Sequence, residues 1–353
     1  MAFIAKDWPL PRGIYGDITS TLYWCEEKFR WSKYVAEPIN TFTNGFFVLL
    51  SIYGAIQVKR ERLLDRFFWC QLGITLVGIG SALFHGTLKY EAQLLDELPM
   101  IYVSALNTYV VLETSRRGAP ARYGVLLPAS LFALVLFITV AYAINNNPVF
   151  HQVAYASIQA ASTIQVVYLL NSKSSPLAKA TQIEESAAAA SSRMTTRSGS
   201  AKANGATNGA ANDSAKASAG MSRDNATAIA GPARLREARR LYTLGAIVFM
   251  TGFAIWNVDN IYCSFLRSTR NTLRAHGLGF LTPLLQGHGW WHIFTGVGAY
   301  QLVVSSSFLM MSMKESPENF ELRKGSLLGL GWLAPTVKRV HEWDGEVPTT
   351  KNQ

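Results

Sequence analysis

Seven blocks of about twenty residues, six of them almost free of charge, constrain the fold of this chain more than any other feature. They lie at roughly 39–58, 67–88, 92–112, 123–143, 149–170, 241–262 and 289–313. At about 1.5 Å per helical residue, each is long enough to cross a hydrocarbon core of roughly 30 Å. Lipid offers the backbone no hydrogen-bond partners, so such blocks must bond internally as helices. The sequence therefore predicts an all-α polytopic membrane protein, a seven-transmembrane-helix bundle. The third block is the exception. It carries Asp96, Glu97 and Pro99, and it is expected to face the interior of the bundle, where polar groups can be satisfied.

The formal net charge of +10 raises the question of nucleic acid, but the cations sit in short loops beside the apolar blocks. "KRERLLDR" (59–66) and "SRRGAPAR" (115–122) are such loops, and Lys173, Lys179, Arg234, Arg236, Arg239 and Arg240 flank a longer one. All fall on one side of a seven-span chain, although Arg267, Arg270 and Arg274 fall on the other. The positive-inside rule makes the basic side cytosolic, the N-terminus lumenal and the C-terminus cytosolic. No nucleic-acid partner is expected. The opening "MAFIAKDWPLPRGIYGD" lacks the apolar core of a cleavable signal, so the first span is expected to direct insertion.

The chain then divides into a lumenal segment (1–38), spans one to five (39–170), a cytosolic loop (171–240), spans six and seven (241–313) and a cytosolic tail (314–353). Within the loop, residues 174–233 are mainly Ala, Ser, Gly, Asn and Thr, too poor in apolar surface to offset chain entropy, and disorder is expected. Two glycosylation sequons, at Asn212 and Asn225, lie inside it.

Only six histidines occur, so their positions are informative. Ser81 and His85 are four residues apart near the end of the second block, and Asp96 follows at the start of the third. His288 and His292 are again four apart, at the start of the seventh. Residues at that spacing share a helix face. In a seven-span chain, the end of span two and the starts of spans three and seven lie on one side of the membrane. Three neutral imidazoles suit Zn²⁺, with the fourth position left open for water. The ion would lower the pKa of that water toward 7. Asp96 is then a candidate general base or water orienter, and Ser81 a donor to the developing oxyanion. Plainer roles stand beside these: Ser81 as a small packing residue next to Gly78 and Gly80, and Asp96 as a partner of Lys89. Of the other histidines, His151 opens span five, where it could reach a lipid headgroup, while His276 and His341 lie in solvated segments.

"SALFHGTLKYEAQLLDELPM" (81–100), "WNVDNIYC" (256–263), "GHGWWH" (287–292) and the N-terminal "YWCEEKF" with "VAEPINTFTN" resemble the alkaline ceramidase family, from about residue 13 to 313. The resemblance implies a seven-helix intramembrane zinc amidase of the endoplasmic reticulum or Golgi. Such an enzyme cleaves the N-acyl bond of ceramide, dihydroceramide or phytoceramide to a sphingoid base and a free fatty acid, and microscopic reversibility allows condensation when fatty acid is abundant. It assigns zinc to His85, His288 and His292, and catalysis to Ser81 and Asp96. It also implies a calcium site on the Trp24 carbonyl, Glu26 and Glu37. There this chain departs from the pattern: Tyr23 and Lys28 stand where an acidic residue and an Asn are usual. Calcium wants six to eight oxygens, so Lys28 is expected to pair with Glu26 or Glu37 in place of the ion. A disulfide between Cys25 and Cys263 follows from the same pattern, with Cys70 left as a packing residue. In "WNVDNIYC", Asn257, Asp259 and Asn260 are read as interhelical hydrogen-bonding groups or as supports for a zinc-bound imidazole. The alternatives are a lipid-remodelling hydrolase of the same superfamily, a seven-helix receptor related to the adiponectin receptors, and a zinc carrier. The bilayer and a membrane lipid are the expected partners; oligomeric state is not legible.

Overall fold

The computed structural model describes residues 12–175, 177 and 211–342, with the helical backbone alone over 211–233. Nine α-helices occur among them: α1 Pro38–Thr43, α2 Gly45–Arg60, α3 Asp65–Thr87, α4 Tyr90–Leu112, α5 Leu126–Asn145, α6 Pro148–Asn171, α7 Ala211–Ile261, α8 Cys263–Ala275 and α9 Gly287–Lys314. Six segments are long and apolar enough to cross a membrane: 38–60, 65–87, 126–145, 148–171, 234–261 and 287–314. The protein is an all-α integral membrane protein. The seventh expected span is α4, which matches α3 in length at 23 residues. Its Glu91, Asp96 and Glu97 set it apart from the six, and it packs between α3 and α6.

The helix ends follow from local chemistry. Pro38 opens α1 and Pro148 opens α6, where a missing N–H costs nothing. The Asn147 side chain accepts from the Val149 amide to cap α6. Leu88 ends α3 in the left-handed region at φ 54°. That reversal turns the chain directly into α4.

The helix α9 is the axis of the bundle. Most of it is buried, and it packs against α1, α2, α3, α4 and α7. The α7–α9 approach is close because glycines face each other: a Cβ on Gly298 would stand 2.8 Å from the Gly245 carbonyl oxygen. By contrast α5 turns Leu126, Phe132, Phe137 and Ile144 outward, as a lipid-facing helix does.

Two regions differ from expectation. The tail after α9 forms an antiparallel hairpin, β1 Phe320–Gly325 and β2 Gly331–Arg339, paired from Phe320↔Arg339 to Gly325↔Gly331. It docks on α9 and α2: Tyr300 Oη donates to Pro335 O (2.8 Å) and Gln301 Nε2 to Trp332 O (3.0 Å). Tyr300 lies about 20 Å along α9 from Gly287, roughly halfway, so this part of the tail folds against the bundle. Short strands with mixed faces gave no period long enough to read. The second region is the 171–240 loop. Residues 178–210 lie outside the described residues, and from Ala211 the backbone continues as the first part of α7. The sequons at Asn212 and Asn225 fall where only that backbone is described.

Candidate functional site

His85 occupies the last turn of α3, and His288 and His292 the first turns of α9. The chain brings these ends together, and the three rings are buried with one nitrogen of each within 4.8 Å of the others. Ring centroids are 4.7 to 4.9 Å apart. The group spans about two hundred residues of sequence, yet it lies at one end of the bundle, as the i, i+4 spacing predicts.

Two of the rings have their tautomer set by α1 and the residue before it. Glu37 Oε2 is 2.5 Å from His85 Nδ1. An ionised carboxylate only accepts, so Nδ1 carries a proton, which leaves Nε2 as the ring nitrogen that can offer a lone pair to a metal. Thr43 Oγ1 gives its single hydrogen to Ile39 O (2.8 Å), so it accepts from His292 Nδ1 (3.0 Å), and that ring's Nε2 is left in the same way. Burial tends to raise the Glu37 carboxyl, but the Lys28 ammonium and the bond to His85 outweigh it and hold it down at about 2. The third ring, His288, packs against Trp24 at a tilt with centroids 4.3 Å apart, and its buried Nδ1 has no partner among the described residues. Three neutral nitrogen donors, two oriented by outer hydrogen bonds and turned on each other out of water, fit a metal ion such as zinc.

Ser81 is one turn before His85 on α3, is buried, and stands beside the Asp96 carboxyl of α4. Asp96 keeps part of its surface accessible. Their meeting depends on Pro99 and Gly80. Pro99 lacks an N–H, so the Leu95 carbonyl loses its helical partner. That oxygen rests on Gly80, at 1.9 Å from where a Cβ would be. Gly80 is therefore the point of closest approach between α3 and α4 here. The simpler role for Asp96 is not seen, since Lys89 Nζ donates to Asp17 O (2.6 Å).

The residues expected to hold calcium converge on an ammonium. Lys28 Nζ donates to Trp24 O (2.7 Å), to Glu26 O (2.9 Å) and to Glu37 Oε1. Glu26 turns its carboxylate the other way, accepting from the Ile39 and Asn40 amides (2.9 Å each) in the first turn of α1. Burial and the neighbouring Glu37 push its carboxyl up to about 7. Trp24, Glu26 and Glu37 with Lys28 among them therefore do not fit a calcium ion. Cys25 and Cys263 are joined by a disulfide, with Cα atoms 5.4 Å apart. Buried Arg270 of α8 donates to Cys25 O (3.0 Å) and Leu285 O (3.0 Å), and Arg274 pairs with Glu27, holding its carboxyl low against burial. These links fasten the N-terminal segment over the histidines. Cys70 is a buried free thiol in the core.

Other polar groups near this end were missed or misread. Glu97 accepts from Gln93 Nε2 (2.9 Å) and from Tyr142 Oη. His151 does not reach outward: it is buried, and Nε2 donates to Glu97 O (2.8 Å). Glu97 in an apolar block was the available signal; Tyr142 and Gln93 gave none. Asp259 Oδ1 accepts from the Gly287 amide (2.9 Å), an interhelical link at the residue before His288, and Oδ2 has no partner. Asn257 bonds within its own helix. His276 and His341 are exposed.

Known proteins resemble this chain along most of its length. The Ceramidase family model matches residues 16–326. The chain is 32% identical to alkaline ceramidase 3 of Mus musculus, over 84% of this chain and 86% of that protein. It is 31% identical to alkaline ceramidase YPC1 of Saccharomyces cerevisiae, over 84% of this chain and 78% of that one.

Proposed function

This chain is an enzyme of the alkaline ceramidase family, and we propose that it hydrolyses the N-acyl amide of ceramides at a zinc ion held by His85, His288 and His292. The observation that carries the reading is the buried imidazole triad one helical turn from a Ser81–Asp96 pair. Bound there, zinc supplies Lewis acidity that polarises a carbonyl and eases deprotonation of water.

The chain's own groups do the rest. Glu37 and Thr43 keep His85 and His292 in the tautomer that offers Nε2. Asp96, partly accessible, takes a proton from water as its oxygen attacks the amide carbon, and returns it to the nitrogen as the C–N bond breaks. Ser81 first gives its hydrogen to the Asp96 carboxylate. Once Asp96 is protonated it no longer needs that hydrogen, and the Ser81 hydroxyl is free to turn to the oxygen that gains charge. Proton uptake and oxyanion support are thus coupled through one hydrogen bond. Products are a sphingoid base and a fatty acid, and the same groups serve condensation in reverse.

The basic loops at 59–66 and 115–122 lie at the opposite end of the bundle from the histidines, which supports a lumenal centre, a lumenal N-terminus and a cytosolic C-terminus in an endoplasmic reticulum or Golgi membrane. Purified protein is assayed on ceramide, dihydroceramide, phytoceramide and a glycerolipid, with zinc counted by mass spectrometry. Wild type is expected to carry about one zinc and to release fatty acid only from the sphingolipids. Asp96→Asn is expected to keep the zinc and lose turnover by about 10²–10⁴-fold, whereas His292→Ala loses both. Release from the glycerolipid alone would make the protein a remodelling hydrolase, and full activity in Asp96→Asn would remove its proposed base.

A further inference from the structure

We infer that the Lys28 ammonium is a built-in cation that holds Glu37 against His85, so that the N-terminal segment positions the metal centre with no calcium ion. The inference rests on the reading of His85 as a zinc ligand.

An ammonium has three N–H donors. Lys28 has three oxygen acceptors: Trp24 O, Glu26 O and Glu37 Oε1. Its side chain is 4% exposed and that of Glu37 is 0% exposed, so the pair is out of water and each charge needs the other. The second Glu37 oxygen then serves His85 Nδ1 (2.5 Å) and Asn40 Nδ2 (3.0 Å). A single carboxylate thus joins the tethered cation to the metal-ligand ring. The backbone is shaped for it: Phe29, the next residue, takes φ 51°, a left-handed conformation unusual for an aromatic side chain, and its amide bonds Ala36 O (2.8 Å). That turn folds the segment back around Nζ.

Calcium would have to displace this arrangement. It requires six to eight oxygens at about 2.3–2.6 Å. Two carbonyls and one carboxylate oxygen converge here, and both Glu26 carboxylate oxygens are committed to α1 amides. Position 23 supplies a phenol where a carboxylate would be wanted. A divalent ion placed beside Lys28 would also meet its charge in a poorly screened interior. Lys28 is therefore a positioning residue, acting on the metal centre through Glu37. Its hold does not rise and fall with calcium concentration.

The test uses full-length protein in detergent micelles. Calcium chloride is titrated into wild type by calorimetry while Tm is followed, and zinc affinity is measured by competition with a chromogenic chelator. Wild type is expected to give no binding heat and no Tm change above about 1 °C. Lys28→Met, which keeps length and removes charge, is expected to weaken zinc binding about tenfold or more and to lower Tm by about 5 °C or more. One calcium bound per wild-type chain, or a Tm raised by calcium, would overturn the proposal. So would a Lys28→Met protein with unchanged Tm and zinc affinity. The wild-type titration decides even if the variant does not fold. A wild type that carries no zinc would sink the zinc reading by itself, while the calcium titration and the Tm of Lys28→Met would still judge the built-in cation.

Discussion

Gly80→Ala places one methyl group where α3 and α4 touch, and its consequences follow from the geometry of that contact. The added Cβ would stand 1.9 Å from the Leu95 carbonyl oxygen and 2.9 Å from the Asp96 nitrogen. Both are backbone atoms, so no side-chain rotation relieves the overlap. Ordinary contact begins near 3.4 Å, so α4 must retreat by about 1.5 Å at this level. Asp96 moves with it, away from Ser81 and the histidines on α3 and α9. A displacement of about 1 Å at reacting groups costs on the order of 10²-fold in rate, and overpacking of this kind costs about 1–3 kcal/mol in stability. Zinc should remain, because no ligand lies on α4. The assay is fatty-acid release by purified Gly80→Ala protein, with zinc content and Tm measured on the same sample. The expected result is turnover down by about 100-fold or more at near-normal zinc. Gly86→Ala on the same helix is the control, since the nearest atom to its Cβ is 4.0 Å away, and it should behave as wild type. A Gly80→Ala enzyme within a few-fold of wild type would mean that the Ser81–Asp96 pairing does not set the rate.

Thr43→Val removes the acceptor that fixes His292, and zinc affinity should fall by about 10–100-fold in chelator competition; unchanged affinity would mean that Thr43 does not orient the ring. Cys25→Ser opens the link to Cys263 and should lower stability by about 2–5 kcal/mol, seen as a lower Tm and faster proteolysis of the N-terminal segment. Equal Tm with and without reductant would argue against a stabilising bridge. Glu26, raised to about 7 in the fold, favours its protonated form on folding. Its contribution is complete below the ordinary carboxyl range and is lost as pH climbs through about 7, at a scale of about 3 kcal/mol. Glu26→Gln should therefore flatten the fall in Tm between pH 5 and 8, and an identical slope in both proteins would refute the assignment.

Apolar block length and charge placement were enough to read six of the spans, because a membrane leaves a backbone no other way to satisfy its hydrogen bonds. The i, i+4 spacings and the alternation of helix ends were enough to bring His85, His288 and His292 to one end, and Cys25 to Cys263 through the resemblance. These properties depend on residue types and intervals, which a linear chain records directly. Other features depend on where backbones approach each other, and no interval records that. The Leu95 oxygen finds Gly80 only because Pro99 frees it and two helices cross at that level. Glu37 serves His85 and Lys28 at once, and Thr43 serves His292, only once α1 lies across the starts of α3's last turn and α9. His151 turns inward because the Glu97 carbonyl waits for it on a packed neighbour. A side chain's identity states what it can bond; which partner is within about 3 Å is fixed by the packing of distant segments.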